Sequence, residues 1–239
     1  MMYRTKGIVL HKTPIADNKA VFHVYTTAEG MRSFLTYTSL KREKRGQWVK
    51  MQPLAVVDLK AERCRNGTMD YLKSVELEHA PGMRSFDYLK SAVRMFLNEA
   101  LYKILQSAPP DAELFDYVEE SLRCFEEQPF VPDFHLRFLW RMTHYLGCAP
   151  VSNYSEDTPF FNVESAQFMP FKSDAEAALS VWIPRWTAAL RFPDGAEELL
   201  PVPLRAPMLD CLLAYYTRHV SQSLSTIQSH KVLKDVLRS

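Results

Sequence analysis

Residues 20–37 read Ala-Val-Phe-His-Val-Tyr-Thr-Thr-Ala-Glu-Gly-Met-Arg-Ser-Phe-Leu-Thr-Tyr. Two runs of β-branched and aromatic residues flank a turn at Glu29-Gly30, a pattern that is typical of two antiparallel strands. Similar short runs lie at 8–10 and 54–59, and Asn66-Gly67 is the preferred pair of a type I′ hairpin turn. We therefore predict about five strands before residue 80, which fits the small oligonucleotide/oligosaccharide-binding (OB) barrel.

After Ala80-Pro81-Gly82 the spacing of apolar residues changes from a period of two to one of 3.6, which indicates helices. The predicted helices are 86–104, 111–127 capped by Asp111, 132–146 ended by Gly147, a region from about 174, 204–224, and a short final helix over 232–237. The fold class is thus α+β, with a barrel domain at 1–79 and a mainly helical domain at 80–239. Within the latter, 148–172 is predicted to be irregular, with two short apolar patches.

The near-neutral total of 29 Lys+Arg and 28 Asp+Glu conceals an asymmetry between the two domains. Residues 1–79 hold 14 basic and 8 acidic side chains, a net charge of +6, whereas residues 80–239 have a net charge of −5. A basic module joined to an acidic one suggests that the first module meets a polyanion. A chance distribution of charge is the alternative.

The strongest local signal is the basic stretch 41–50, which carries five cations and Trp48 between the third and fourth strand runs. In an OB barrel the loops and one sheet face hold the ligand, cations neutralise phosphates, and aromatic rings stack on unpaired bases. The candidate DNA-binding residues are Lys12, Lys19, Arg32, Tyr37, Lys41, Arg42, Lys44, Arg45, Trp48 and Lys50. The competing interpretation is a solvated basic loop with Trp48 buried in the barrel.

Several protein classes are excluded or disfavoured by counting. The seven glycines are too dispersed for a dinucleotide-binding turn or a phosphate-binding P-loop, which both need clustered glycines. The four cysteines form no C-x-x-C pair, as is expected of reduced thiols in a cytoplasmic protein. The chain has neither an apolar leader at its start nor a run long enough to cross a membrane. No catalytic motif stands out, so we predict a protein that is not an enzyme and that needs no cofactor or metal.

The order of these elements resembles the RecO family, the bacterial recombination mediators of DNA repair. The resemblance rests on Lys6–Leu10, the polar loop through Asp17-Asn18-Lys19, the strand Val21–Tyr25 with Thr26 and Gly30, and the basic segment 41–45. Two later segments agree with it, Tyr145-Leu146-Gly147-Cys148-Ala149-Pro150 and the final helix from Ser229.

The resemblance implies binding to single- and double-stranded DNA, annealing of complementary strands, and association with a RecR-like protein. It also implies an interaction with the acidic tail of single-stranded DNA-binding protein, and through it help in loading RecA recombinase. A location in the cytoplasm, associated with the nucleoid, follows from such a role. Whether a RecF-like protein takes part, and which oligomer forms, stays open.

One feature departs from many members of that family, which carry a four-cysteine zinc site after the third helix. Residues 154–170 contain no cysteine, so zinc would have no thiolates to bind. Phe160-Phe161 and Phe168-Met169 could retain the hairpin by apolar packing in place of metal.

An acidic peptide with an apolar end needs cations beside an exposed apolar pocket. Arg137, Arg141 and Tyr145 recur along one side of the third helix, beside Phe138 and Met142, and are the candidate partner-binding residues. Two other functions remain open: an adapter that acts mainly through protein contacts, and an enzyme with a site between the domains.

Overall fold

The computed structural model describes residues 1–37, 48–64, 69–82, 87–170 and 199–238. The predicted hairpin turn at Asn66-Gly67 and the helical region predicted from about residue 174 lie outside these ranges. Contacts within the chain divide it into two compact units, Met1–Pro129 and Phe130–Ser239.

The first unit contains the predicted barrel. Its strands are β1 (Met2–Ala16), β2 (Lys19–Thr26), β3 (Gly30–Tyr37), β4 (Val56–Glu62) and β5 (Asp70–His79). They close in the order β1-β2-β3-β5-β4, with β4 antiparallel to β1 and a short parallel pairing of β3 with β5. The five-stranded OB-type barrel expected from the sequence is confirmed.

The barrel closes because β1 is long enough to pair with two strands. Its first half, Met2 to Ile8, pairs with β4, and its second half, Gly7 to Ala16, pairs with β2. The interior is filled by alternate apolar residues, among them Phe22, Phe34 and Leu59, which have no exposed surface. Gly30 has a φ of +66°, so the turn between β2 and β3 uses the left-handed conformation that glycine adopts most readily.

Two helices, α1 (Tyr88–Leu105) and α2 (Ala112–Glu127), complete the first unit. Asp87 and Asp111 cap them by accepting hydrogen bonds from backbone N–H groups of the first turn. The Tyr25 ring of the barrel stacks on Phe115 of α2 with centroids 6.0 Å apart, and Lys6 pairs with Glu119 at 2.6 Å. These contacts place the division between compact units after α2, whereas the sequence placed the domain boundary at 79/80.

The second unit contains α3 (Phe134–Tyr145), the hairpin β6 (Phe160–Asn162) and β7 (Gln167–Met169), α4 (Val202–His219) and α5 (Ser229–Arg238). A 3₁₀ turn, Gln222–Thr226, follows α4, so this helix ends before the predicted residue 224. Gly147 lies just after α3 with a φ of +67°, as expected of a residue that ends a helix.

The hairpin expected in the 148–172 region is present, and its support is apolar. Phe161 and Phe168 are buried with ring centroids 5.3 Å apart, and Phe161 also contacts Trp140 and Tyr215. Asn153 clamps the hairpin by accepting from the Phe168 N–H at 2.8 Å and donating to its carbonyl at 3.0 Å. Aromatic packing and the Asn153 hydrogen bonds therefore hold this hairpin together.

Candidate nucleic-acid interface

The exposed half of β1 and the start of β2 form a hairpin that we call the arm and define as residues 11–23. Beyond Val9 the β1 strand loses its pairing with β4 and, among the described residues, pairs with β2 alone. All six residues from His11 to Ala16 are exposed. The arm therefore offers a set of solvent-facing side chains beside the barrel, on a strand edge that has no paired strand in the part of the chain that the structure describes.

Lys12 and Trp48 form the first cation–aromatic pair at the arm. The Lys12 Nζ lies 4.0 Å from the Trp48 ring centroid and 5.7 Å from that of Phe22. Trp48 itself is partly buried, packs against the barrel core, and meets Phe22 edge-on at 6.0 Å. The Trp48 ring packs on the core while one face lies under the exposed Lys12, and its role at DNA stays a prediction.

Lys19 and Tyr37 form the second pair, on the opposite strand of the arm. They are direct neighbours in the β2–β3 register, and the Lys19 Nζ lies 5.5 Å from the Tyr37 ring centroid. Tyr37 is 46% exposed, which leaves ring surface for a base to contact.

Two of the predicted DNA-binding cations are engaged within the barrel. Arg32 pairs with Asp70 at 2.7 Å, and Asp70 has no exposed surface. The Lys50 Nζ donates to the Val75 carbonyl at 3.0 Å. Their role at DNA stays a prediction, and each has an internal partner that the sequence did not indicate.

Asp70 is the centre of a polar cluster that the sequence analysis missed. Tyr3 and Arg32 donate to its carboxylate, and the backbone N–H of Cys64 donates at 3.2 Å. Burial opposes ionisation of Asp70, but these hydrogen bonds outweigh it and lower the pKa of the carboxyl group. Burial and the bond to Asp70 raise the pKa of Tyr3, so Tyr3 remains a neutral donor.

Lys41, Arg42, Lys44 and Arg45 lie outside the described residues. Their assignment to the DNA site stays a prediction from the sequence.

Two histidines lie on the outer face of the arm and were not singled out from the sequence. His11 stacks on Tyr102 of α1 at 4.6 Å, and His23 accepts from or donates to Ser33 Oγ at 3.1 Å. Burial lowers the pKa of His23, and the neighbouring His11 adds to this effect. His23 therefore stays neutral at physiological pH, and the arm draws its positive charge from Lys12 and Lys19, opposed by Asp17 at the tip. The alternation of Phe22 and Val24 could have placed His23 on the outer face.

The partner-binding stripe predicted on α3 is only partly available. Arg137 donates through two nitrogens to Asp133, each at 3.1 Å, and Asp133 is fully buried. Phe138 and Met142 are also buried, so they offer no exposed pocket. Arg141 and Tyr145 are half-buried on the same helix.

A shallow apolar groove lies elsewhere in the second unit, between α4 and α5. Its cavity volume is about 20 Å³, with the buried side chains of Leu209 and Leu233 at its floor. Its rim includes Val202 and Leu237 together with the cations Arg205 and Lys234. Arg205 is fixed by donation from its Nε to the Leu200 carbonyl at 2.9 Å, and Lys234 pairs with Asp210.

The described residues contain neither a cluster of metal ligands nor a membrane-spanning helix. Within ranges 1–37, 48–64, 69–82, 87–170 and 199–238, no three His, Cys, Asp or Glu side chains come together as metal ligands. In the same part of the chain no helix combines the length and the apolar character needed to span a bilayer.

Comparison with known proteins gives matches along nearly the whole chain. Residues 1–81 match the family profile described as Recombination protein O N terminal, and residues 85–226 match Recombination protein O C terminal. DNA repair protein RecO of Flavobacterium psychrophilum is 25% identical over 99% of both chains. The proteins of the same name from Phocaeicola vulgatus and Porphyromonas gingivalis are 30% identical over 71% of this chain and 70% of theirs, and 31% identical over 63% and 62%.

Proposed function

Because the chain belongs to the RecO family of DNA repair proteins, we propose that it is a recombination mediator that binds single- and double-stranded DNA and anneals complementary strands. The observation that carries this proposal is the pairing of Lys12 with Trp48 and of Lys19 with Tyr37 on the arm of the OB barrel. Each pair supplies a cation for phosphate, and the exposed ring of Tyr37 supplies a surface for a base.

The proposed mechanism needs no covalent chemistry. Single strands repel one another through their phosphates, and a basic surface that neutralises part of this charge lets two strands approach. Aromatic rings hold bases unstacked and accept any sequence, because every base has a π-face. The protein would thus act as a surface for base pairing and not as an enzyme, in the cytoplasm beside the nucleoid.

The test is the salt dependence of binding to a fluorescent single-stranded oligonucleotide. Replacing Lys12 and Lys19 with Ala should lower the slope of log affinity against log salt by roughly 1.4, about 0.7 for each lost phosphate contact. Lys60→Ala is the matched control, because Lys60 is an exposed lysine on β4, away from the arm. Equal slopes for the double variant and the wild type would remove the arm from the DNA site.

A second activity, protein binding, is favoured by the groove between α4 and α5. We propose that the groove takes the acidic, apolar-ended tail of single-stranded DNA-binding protein. The apolar end would lie against Val202 and Leu237 at the rim, while Arg205 and Lys234 would pair with carboxylates. Through this contact and a RecR-like partner, the protein would help to load RecA recombinase.

A peptide titration can distinguish the groove between α4 and α5 from the α3 residues as the binding site for the tail. Arg205→Glu should weaken binding of a tail peptide, because it reverses a charge at the groove rim. Arg137→Glu would leave buried Asp133 without its counter-ion, so its effect on peptide binding must be compared with its effect on thermal stability. Unchanged peptide affinity in Arg205→Glu would exclude the groove, and an adapter role would then need another surface.

A further inference from the structure

Ile15 occupies an irregular position in the arm. In the β1–β2 register Pro14 pairs with Ala20 and Ala16 pairs with Lys19, so Ile15 is an extra residue on β1. An extra residue of this kind is a β-bulge, which bends the strand and redirects a side chain. The Ile15 side chain is 52% exposed, and it lies next to the turn that ends the arm.

The neighbours of Ile15 make the tip of the arm both apolar and stiff. Pro14 precedes it with a fixed φ and no N–H to donate, and Ala16 follows it, so three consecutive exposed side chains are apolar. Lys12 lies three residues before Ile15, about 10 Å along an extended strand, and Lys19 follows on β2. These three apolar residues are therefore flanked by the two lysines that carry the arm's positive charge, and Asp17 follows them on the exposed turn.

We propose that Ile15 is a wedge that inserts beside the last base pair at a junction between single-stranded and double-stranded DNA. This inference rests on the proposed DNA binding and specifies the DNA structure that the arm prefers. Apolar side chains that project from a DNA-binding surface can enter a base step and unstack it, while cations beside them hold the phosphates. Lys12 and Lys19 supply those cations here.

A junction suits this arm better than the middle of a duplex. Separating two stacked base pairs inside a duplex loses stacking energy of a few kcal/mol. The arm could compensate for this loss only with the contacts of Ile15 and of two lysines. The terminal pair of a duplex has a stacking neighbour on only one side, so Ile15 could cover its open face without separating a step. Tyr37, beside Lys19, would then contact the first unpaired base.

The experiment compares three DNA ligands for the full chain: a single strand, a blunt duplex, and a fork with 2-aminopurine in its last base pair. The wild type should prefer the fork and should change the 2-aminopurine fluorescence. Ile15→Ala should weaken fork binding about tenfold, because the variant lacks three carbons of Ile and about half of that apolar surface would be buried on the fork. Its affinity for single strands should stay within about twofold of the wild type. Ile15→Leu should keep the preference, because it keeps the apolar bulk.

Met95→Ala is the matched control, because Met95 is an exposed apolar side chain on α1 with a similar accessibility of 45%. It should leave all three affinities and the fluorescence signal unchanged. Equal affinities of wild type and Ile15→Ala for the fork would overturn the wedge. An equal loss on the fork and on the single strand would also overturn it, since Ile15 would then be a general contact.

Failure of the wedge and failure of the proposed function give different results. If the wild type binds single strands with the expected salt dependence but shows no preference for the fork, only the wedge is wrong. If the wild type binds none of the three ligands, DNA binding itself is wrong and the wedge with it. If Ile15→Ala keeps all its DNA affinities but loses a protein partner, the arm tip is a protein contact and the wedge is overturned.

Discussion

Arg32 tests whether a basic residue of the barrel stabilises the fold or contacts DNA. Its guanidinium lies 2.7 Å from the carboxylate of Asp70, which has no exposed surface, and 3.5 Å from that of Glu29. Arg32→Gln would leave the Asp70 charge buried with only neutral donors, Tyr3 and the Cys64 N–H. We expect this variant to be less stable, with little change in how its DNA binding depends on salt.

The expected loss of unfolding free energy follows from the burial of the Arg32–Asp70 pair. Removing one partner of a buried ion pair costs about 3–5 kcal/mol of unfolding free energy. The Arg32 side chain keeps 19% exposure, so water can partly replace it, and we expect a loss near the lower limit, about 3 kcal/mol. For a unit of this size that loss corresponds to a decrease in Tm of about 10 °C.

Calorimetry is the suitable assay, because it can resolve separate transitions for the two units. The double variant Arg32→Gln with Asp70→Asn provides the control, since it removes the charge that needs Arg32. It should be more stable than Arg32→Gln alone by at least about 1 kcal/mol.

DNA binding completes the test, at a temperature where each variant is folded. If Arg32 is structural, the slope of log affinity against log salt for single strands should equal that of the wild type. A slope lowered by about 0.7, together with unchanged Tm, would refute this reasoning and return Arg32 to the DNA site.

Three further predictions concern other parts of the chain. Reversing Lys41, Arg42, Lys44 and Arg45 to Glu should weaken DNA binding and lower the salt slope by roughly 0.7 for each lost contact to a single strand; an unchanged slope would exclude that stretch. Burial, together with the charge of Arg205, lowers the pKa of His135 to about 3. In the unfolded chain its pKa is about 6.5, so the stability that the neutral histidine contributes is complete above that pH and is lost as the pH falls below it. At pH 5 the wild type should have lost about 2 kcal/mol relative to pH 8, and His135→Gln should lose measurably less in urea titrations at both pH values. Phe161→Ala should cost about 3–5 kcal/mol by opening the aromatic cluster of the hairpin, whereas a chelator should leave the wild-type Tm unchanged; a chelator-sensitive Tm would point to a bound metal.

The barrel could be predicted from the sequence because its strands are marked locally. Runs such as 20–25 and 31–37 are rich in β-branched and aromatic residues and are bounded by turn residues, so the number of strands follows from short-range pattern. The helix caps Asp87 and Asp111 act in the same local way, although only Asp111 was identified as a cap. The length of β1 was underestimated because Lys12 and Pro14 interrupt its apolar pattern, although the strand continues to Ala16.

The features that could not be predicted from the sequence depend on contacts between distant parts of the chain. Arg32 and Asp70 are 38 residues apart, and their contact depends on the parallel pairing of β3 with β5, which no local pattern encodes. Arg137 and Asp133 are only four residues apart on a predicted helix, so their pairing could have been anticipated. The burial of Asp133 could not, because it depends on Leu200, whose N–H donates to the same carboxylate at 3.0 Å.

The net charge of +6 over residues 1–79 therefore overstates the charge that the described barrel offers to DNA. Lys6, Arg32, Arg63 and Lys73 all pair with carboxylates. Such pairs are balanced locally and contribute little to a field that attracts phosphates. Arg63 and Lys73 also lie over rings, those of Tyr3 and Tyr71, but their charges are paired. Lys12 and Lys19 lie over rings with no carboxylate partner among the described residues, and a ring orients a cation without cancelling its charge. The arm is therefore where positive charge, exposed ring surface and an apolar tip coincide, and it is the part of the described barrel best suited to contact DNA.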